Sequence, residues 1–158
     1  MNELQLKKGD KAPDFELVNQ NNENITLISF SGKWLVLYFY PKDNTPGCTT
    51  EAIDFTSLKK EFNSLETKII GVSKDSVKSH INFIAKKSLR IDLLSDPEHQ
   101  TMEQYGVWKL KKNYGREYMG VVRTTFLINP EGKIEEIWNS VRAKEHASKV
   151  LEYLKNVI

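Results

Sequence analysis

Hydrophobic residues recur along this chain in alternating short and long periods, which predict strands interleaved with helices. Residues 15–18 and 25–28 predict two short strands, and the Asn and Gln cluster at 19–22 predicts the turn between them. The chain is therefore expected to open with a β-hairpin. Residues 34–40 are hydrophobic or aromatic at every position, which is typical of a strand covered on both faces. Pro41 ends this strand, since it has no N–H to donate.

The rest of the chain continues the alternation. Apolar residues spaced by three and four predict a helix over about 49–65, with Phe55, Leu58, Phe62 and Leu65 on its buried face. A strand is predicted at 68–72, followed by a helix that is capped by Ser73–Asp75 and runs through 77–85. A brief strand is predicted at 93–94, followed by a short helix that is capped by Asp96 and ends at Gly106. Two strands at 121–128 and 133–138 are joined by a turn, and the final helix has Ala147, Val150, Leu151, Leu154 and Val157 on its apolar face. This order predicts an α/β fold with a mixed sheet and helices on both faces.

Length and charge narrow the function classes. The chain has 158 residues, which predicts a single domain over 1–158. Its 23 basic and 21 acidic side chains are mixed along the sequence, which disfavours a nucleic-acid partner or an anionic membrane surface. The apolar run 34–40 is far shorter than the roughly 20 residues of a membrane helix. Residues 1–8 lack the pattern of a signal peptide, so a cytoplasmic protein is expected.

Cys48 is the only cysteine, so the sequence holds no internal disulfide and no cysteine-rich metal centre, and neither a metal nor a cofactor is expected. It lies between the carboxyl end of the 34–40 strand and the start of a helix, the edge where α/β sheets bind ligands. Backbone N–H groups and the helix dipole favour a thiolate there, and the pKa of cysteines so placed falls from about 8.5 to roughly 3.5–7.5. The alternative is a packing cysteine. Prolines, a glycine and threonines surround Cys48, and it is expected to lie off the Phe55 face, which favours a reactive thiol.

The segment 40–49, Tyr-Pro-Lys-Asp-Asn-Thr-Pro-Gly-Cys-Thr, resembles the active-site motif of the peroxiredoxins, and in particular their Q-type or bacterioferritin-comigratory class. The resemblance extends to 9–15, 93–97, 105–108 and 123–128, so it spans nearly the whole chain. It implies a thioredoxin-like fold with an N-terminal extension, which agrees with the predicted order of elements.

The same resemblance implies a thiol-dependent peroxidase and assigns its residues. Cys48 is then the peroxidatic cysteine, Thr45 the hydroxyl that contacts sulfur and peroxide, Pro41 the shield over the pocket, and Arg123 the cation beside the thiolate. Two alternatives remain open: Thr45 bonds only its own turn, or Arg123 only pairs with a carboxylate on a covered strand. Glu51, in the first turn, is expected to stabilise the helix terminus and is not placed in the catalytic set.

One position departs from the family pattern. Many Q-type members carry a resolving cysteine five residues after the first, and this chain has Ile53 there. A sulfenic acid on Cys48 must then be reduced by an external thiol, thioredoxin or a small thiol such as glutathione, which predicts a one-cysteine cycle. The resemblance also favours a monomer.

Two other function classes compete with the peroxidase. In a thioredoxin-fold binding or holdase module Cys48 would be incidental. A cysteine hydrolase needs a histidine base near the sulfur, and His80, His99 and His146 are all predicted on polar helix faces or turns as solvated residues. This placement disfavours the hydrolase, and it also disfavours a metal site built from the three histidines.

Overall fold

The computed structural model describes residues 5–158, in which nine strands form two sheets. The strands are β1 Glu16–Val18, β2 Asn24–Thr26, β3 Trp34–Phe39, β4 Thr67–Ser73, β5 Asp92–Ser95, β6 Trp108–Asn113, β7 Arg116–Val121, β8 Thr124–Ile128 and β9 Ile134–Trp138. Seven of them form one sheet in the order β2-β1-β5-β4-β3-β8-β9, while β6 and β7 form a separate hairpin. In the large sheet β3–β4 and β4–β5 are parallel and the other pairs antiparallel. The predicted mixed sheet and opening hairpin are confirmed.

Helices pack on both faces of this sheet, but unevenly. They are α1 Pro46–Ser57, α2 Lys59–Ser64, α3 Val77–Lys87, α4 Gln100–Gln104 and α5 His146–Val157, with a 3-10 helix at Leu27–Phe30. Val36 and Tyr38 of β3 point into a core that α1, α2, α3 and α5 share. Leu35 and Leu37 point into a second core, to which α4 and the 3-10 helix contribute. The side chains of β3 alternate between the two cores because successive strand residues face opposite ways.

The position of β3 decides where the site can form. β3 pairs with β4 on one side and with β8 on the other, and Phe39 near its carboxyl end lies opposite Thr124 at the start of β8. The loop after β3 and the residues just before β8 therefore meet at one edge of the sheet. Cys48 follows the loop after β3, and Arg123 is one of the residues just before β8. The strand register therefore brings together two residues that are distant in the chain.

The helix predicted at 49–65 is two helices. α1 begins at Pro46, where a missing N–H costs nothing because first-turn N–H groups have no partner within the helix. It ends at Ser57, because the backbone of Leu58 departs from helical geometry, and α2 begins at Lys59. Phe55 and Phe62 are nevertheless both buried in one core, as predicted.

Two predicted helix starts are displaced. α3 is capped by Ser76 rather than by Ser73–Asp75: the Ser76 hydroxyl accepts a hydrogen bond from Ser79 N at 3.1 Å. α4 begins at Gln100 rather than next to Asp96. The Asp96 carboxylate still accepts a hydrogen bond from Met102 N of α4, at 2.9 Å. Asp96 therefore caps α4 as predicted, although the residues between Asp96 and Gln100 are not helical.

The β6–β7 hairpin was not predicted. Its sequence carries lysines at 109, 111 and 112, which hides the apolar alternation of a strand. The strand predicted at 121–128 is consequently wrong as one element: Val121 ends β7, and β8 starts at Thr124. Arg123 lies in the two-residue link between them, not on a strand.

Two predictions near the ends of elements are also wrong. The strand at 25–28 ends at Thr26, and Ile28 lies exposed in the 3-10 helix. Val157 is exposed at the end of α5, whereas Val150, Leu151 and Leu154 are buried as predicted. In residues 5–158 no helix combines the length and the apolar character that crossing a membrane requires.

Candidate active site

Cys48 is the third residue of α1, next to the carboxyl edge of β3. This confirms the predicted place in a first helical turn. The expectation that it lies off the apolar face is wrong, since Cys48, Ala52 and Phe55 follow one another at four and three residues and share the buried face of α1. Cys48 is only 1% exposed. The sulfur therefore combines a core position with polar neighbours.

Arg123 is the polar neighbour that contacts the sulfur. Its Nη2 donates to Cys48 Sγ at 3.2 Å. The main chain is held by a hydrogen bond from Val141 N to Arg123 O at 2.9 Å, and the side chain is 15% exposed. A guanidinium at this distance favours the thiolate over the thiol electrostatically.

Glu51 completes the group, although the sequence predicted for it only a role at the helix terminus, outside the catalytic set. Arg123 Nη1 donates to Glu51 Oε1 at 2.6 Å, so Arg123 serves the sulfur and a carboxylate together. Glu51 is fully buried, and its Oε2 has no hydrogen-bond partner among the described residues. Glu51 follows Cys48 by three residues, a spacing that places two side chains on one side of a helix and could have identified it.

Burial and charge act in opposite directions at this pair. Burial raises the pKa of Glu51 from 4.5 to about 7, although Arg123 acts to lower it. Burial lowers the pKa of Arg123, but the charges of Glu51 and Cys48 outweigh this, and the pKa of the guanidinium is raised overall. Arg123 thus stays charged, while Glu51 takes up a proton near neutrality.

Gly47 leaves room for this arrangement. A Cβ built on Gly47 would lie 3.2 Å from Arg123 Nη2, closer than a relaxed contact. Any larger residue there would push the guanidinium, which contacts the sulfur of the next residue. The glycine before Cys48 therefore has a steric role.

Thr45 and Pro41 lie in the loop between β3 and α1, both half-buried. Thr45 is the N-cap residue of α1, and its hydroxyl donates to Lys42 O at 2.9 Å. This is the turn hydrogen bond given above as the alternative to a catalytic contact. Pro41 directly follows the buried Tyr40 at the end of the strand.

The histidines differ from their predicted environments. His80 and His146 are buried rather than solvated, and only His99 is partly exposed, with Nδ1 2.7 Å from a Glu103 carboxylate oxygen. His146 Nε2 lies 2.8 Å from Thr125 Oγ1. Burial lowers the pKa of His146 to about 4, with smaller effects from the nearby cations. Sequence patterns missed these two because their partners come from other elements.

Comparison with known proteins places the chain. A family model described as the AhpC/TSA family matches residues 8–137. The chain belongs to the AhpC/TSA family. Among curated relatives of this AhpC/TSA protein, Peroxiredoxin Bcp of Bacillus subtilis is 48% identical over 98% of each chain, and Peroxiredoxin Bcp of Escherichia coli is 39% identical over 95% of this chain and 96% of that one. The resemblance to Q-type peroxiredoxins is therefore confirmed.

Solved structures agree with the relatives. The Xanthomonas campestris bacterioferritin comigratory protein, studied for alkyl peroxide reduction in trapped intermediate and ligand complexes, is 44% identical with a TM-score of 0.87, over 90% of this chain and 91% of that chain. A mutant of Xylella fastidiosa PrxQ is 38% identical with a TM-score of 0.92 over 98% of each chain. The thioredoxin-like peroxiredoxin fold is thus confirmed for this AhpC/TSA protein.

Proposed function

We propose that the protein is a thiol-dependent peroxidase that reduces hydrogen peroxide and organic hydroperoxides through Cys48. The observation that carries the proposal is the 3.2 Å contact between Arg123 Nη2 and Cys48 Sγ in the first turn of α1. A cation and free helical N–H groups at one sulfur favour the ionised nucleophile that peroxide cleavage needs. The alkyl peroxide reduction described for the Xanthomonas relative supports organic hydroperoxides as substrates.

In the first half-reaction the Cys48 thiolate attacks the terminal oxygen of the peroxide. The S–O bond forms as the O–O bond breaks, so the sulfur is oxidised to a sulfenic acid and the peroxide is reduced to an alcohol or water. The leaving oxygen takes up the proton that Cys48 released on ionising. Arg123 stabilises the charge that develops on the two oxygens.

Thr45 and Pro41 shape the space where the peroxide binds. The Thr45 hydroxyl turns from Lys42 O towards the peroxide and the sulfur when substrate enters, since a hydroxyl rotates to suit its partner. Pro41 has no N–H that would compete for the peroxide oxygens, and its ring excludes water.

The second half-reaction uses an external thiol. That thiol attacks the sulfenic sulfur, water leaves, and a mixed disulfide forms; a second thiol then releases reduced Cys48 and a disulfide product. Cys48 is the only cysteine and Ile53 occupies the usual resolving position, so the chain itself supplies neither thiol. Because Cys48 is 1% exposed, a protein reductant such as thioredoxin reaches it only after the first turn of α1 opens.

Peroxide consumption tests the proposal. Thioredoxin, glutathione and glutaredoxin are offered separately with hydrogen peroxide or an alkyl hydroperoxide, and Cys48→Ser serves as the blank. We expect the Cys48 thiol to react far faster than a free thiol, with turnover by thioredoxin. A binding or holdase module predicts no rate enhancement, and that outcome would reject the peroxidase.

The assembly state and location belong to the same proposal: a monomer in the cytoplasm. The resemblance of the sequence to the Q-type class supports the first. A single catalytic cysteine that an external thiol must keep reduced supports the second, because cytosolic thiols are held reduced. Sedimentation equilibrium at micromolar concentration and fractionation of cells test them, with a dimer or an exported protein as the contrary results.

A further inference from the structure

Asp43 lies in the loop between Pro41 and Thr45 and is buried with its carboxylate surrounded by donors. Its Oδ1 accepts from the Tyr40 hydroxyl at 2.6 Å, and its Oδ2 accepts from Ser79 Oγ at 2.8 Å. His80 Nδ1 lies 2.7 Å from the same Oδ2. The Asp43 side chain is thus fixed from both of its oxygens by residues of the strand end and of α3.

His80 is fully buried and faces an acceptor at each ring nitrogen. Nδ1 faces Asp43, and Nε2 lies 3.0 Å from the carbonyl oxygen of Leu94 in β5. His80 therefore bridges the Asp43 side chain to the main chain of β5, and this buried bridge ties the loop to the sheet.

The backbone of Asp43 is anchored as well. Asp43 N donates to Asp75 Oδ2 at 2.8 Å, and Ser73 Oγ at the end of β4 donates to the same oxygen at 2.7 Å. The next residue, Asn44, has φ +62, a left-handed conformation that asparagine tolerates better than most other residues. The loop is therefore held by contacts to α3, β4 and β5 as well as by its own turn hydrogen bond from Thr45 to Lys42 O.

We propose that Asp43 and His80 are positioning residues of the peroxidatic centre, which hold the loop so that Pro41 and Thr45 stand at the peroxide site beside Cys48. The inference rests on the proposed peroxidase. Neither residue touches the reacting atoms; both act through the loop. Asp43 is two residues from Pro41 and two from Thr45, so any displacement of its carboxylate is passed to both.

Two substitutions of His80 separate positioning from packing. In His80→Asn the amide nitrogen takes the place of Nδ1 and keeps a donor towards Asp43, whereas in His80→Gln it takes the place of Nε2 and keeps only the contact with Leu94. We expect the rate constant for peroxide-driven loss of the Cys48 thiol to fall about tenfold or more in His80→Gln and in Asp43→Asn, and only a few-fold in His80→Asn. Packing alone predicts the reverse order, because Gln is closer to His in size. His99→Gln, at the partly exposed histidine, is the control and should retain the wild-type rate.

A double-mutant cycle supplies a readout that loss of stability does not change. If His80 acts through Thr45, His80→Gln slows Thr45→Val much less than it slows the wild type, with rates measured on folded protein below the unfolding transition. An equal factor in both backgrounds, or equal rates for His80→Asn and His80→Gln, overturns the inference. If the His80 variants do not fold, Ser79→Ala removes one donor to Asp43 from a half-buried side chain and is expected to slow the reaction two- to fivefold; an unchanged rate then counts against the inference. A wild-type protein that does not react with peroxide would instead reject the proposed function.

Discussion

Arg123 Nη2 lies 3.2 Å from the sulfur of Cys48, although 75 residues separate them in the chain. The contact exists because Phe39 pairs with Thr124, which places the end of β3 beside the start of β8. The charge that favours the thiolate is thus a property of the folded sheet. In the unfolded chain Cys48 has no such neighbour.

Replacement of Arg123 by Ala is expected to lower the rate constant of Cys48 oxidation by about 10²–10³, the usual effect of removing a donor aimed at developing negative charge. Stopped-flow measurement of thiol loss under excess peroxide checks this. Arg116→Ala, at an exposed arginine of β7, is the matched control. An unchanged rate in Arg123→Ala would remove Arg123 from the mechanism.

Glu51→Gln should change how stability depends on pH. The pKa of Glu51 is raised to about 7 in the folded protein, so its proton contributes stability that is complete below about pH 4.5 and lost as the pH rises through about 7. The shift corresponds to about 3 kcal/mol. The free energy of unfolding in urea is measured for both proteins at pH 4.5 and pH 8. Relative to Glu51→Gln, the wild type should be more stable at pH 4.5 than at pH 8 by about this amount. Glu98→Gln, at an exposed carboxylate, should run parallel to the wild type.

His146→Gln should have the opposite effect. Burial lowers the pKa of His146 from 6.5 to about 4, so its contribution to stability is complete above about pH 6.5 and lost as the pH falls through about 4. The variant is therefore expected to lose less stability than the wild type between pH 7 and pH 4, by about 3 kcal/mol. Unfolding curves across this range, with His99→Gln as control, check the sign. If the wild type and His146→Gln lose the same stability between pH 7 and pH 4, protonation of His146 does not cause the loss and the prediction is wrong.

Gly47→Ala tests the space around the guanidinium. The added Cβ would meet Arg123 Nη2 at 3.2 Å, so we expect Arg123 to move away from the sulfur and the oxidation rate to fall several-fold. Gly47 is a helical residue of α1, where Ala is well accepted, so the unfolding temperature should change little. A large loss of stability with an unchanged oxidation rate would contradict this prediction, because the added Cβ would then displace atoms other than the Arg123 guanidinium.

Ile53→Cys tests whether α1 opens. Residues five apart in an intact helix are separated by about 7.5 Å along its axis, beyond the reach of a relaxed disulfide. Treatment with peroxide should still yield a Cys48 disulfide in this variant, accompanied by loss of helical circular dichroism. Disulfide formation with full helicity, or a persistent sulfenic acid, would contradict the opening of α1.

The sequence predicted the parts of the site that depend on local order. The apolar run of β3 and the residues that follow it placed Cys48 at the start of a helix, and the family motif identified Arg123. It could not predict that His80 is buried or that Glu51 pairs with Arg123, because the partners of both residues come from other elements of the fold. The core position of Cys48 was within reach, since its seven-residue spacing from Phe55 puts both on one helix face.

The β6–β7 hairpin stands outside the large sheet, so within the described residues its two outer backbone edges pair with no other strand. Unpaired strand edges can pair with strands of neighbouring molecules, and lysines on an edge strand commonly prevent such pairing. Lys109, Lys111 and Lys112 occupy one of these strands. These lysines oppose edge-to-edge aggregation of copies of the protein. A chain with valines in their place would carry an exposed apolar β-hairpin that is prone to aggregate.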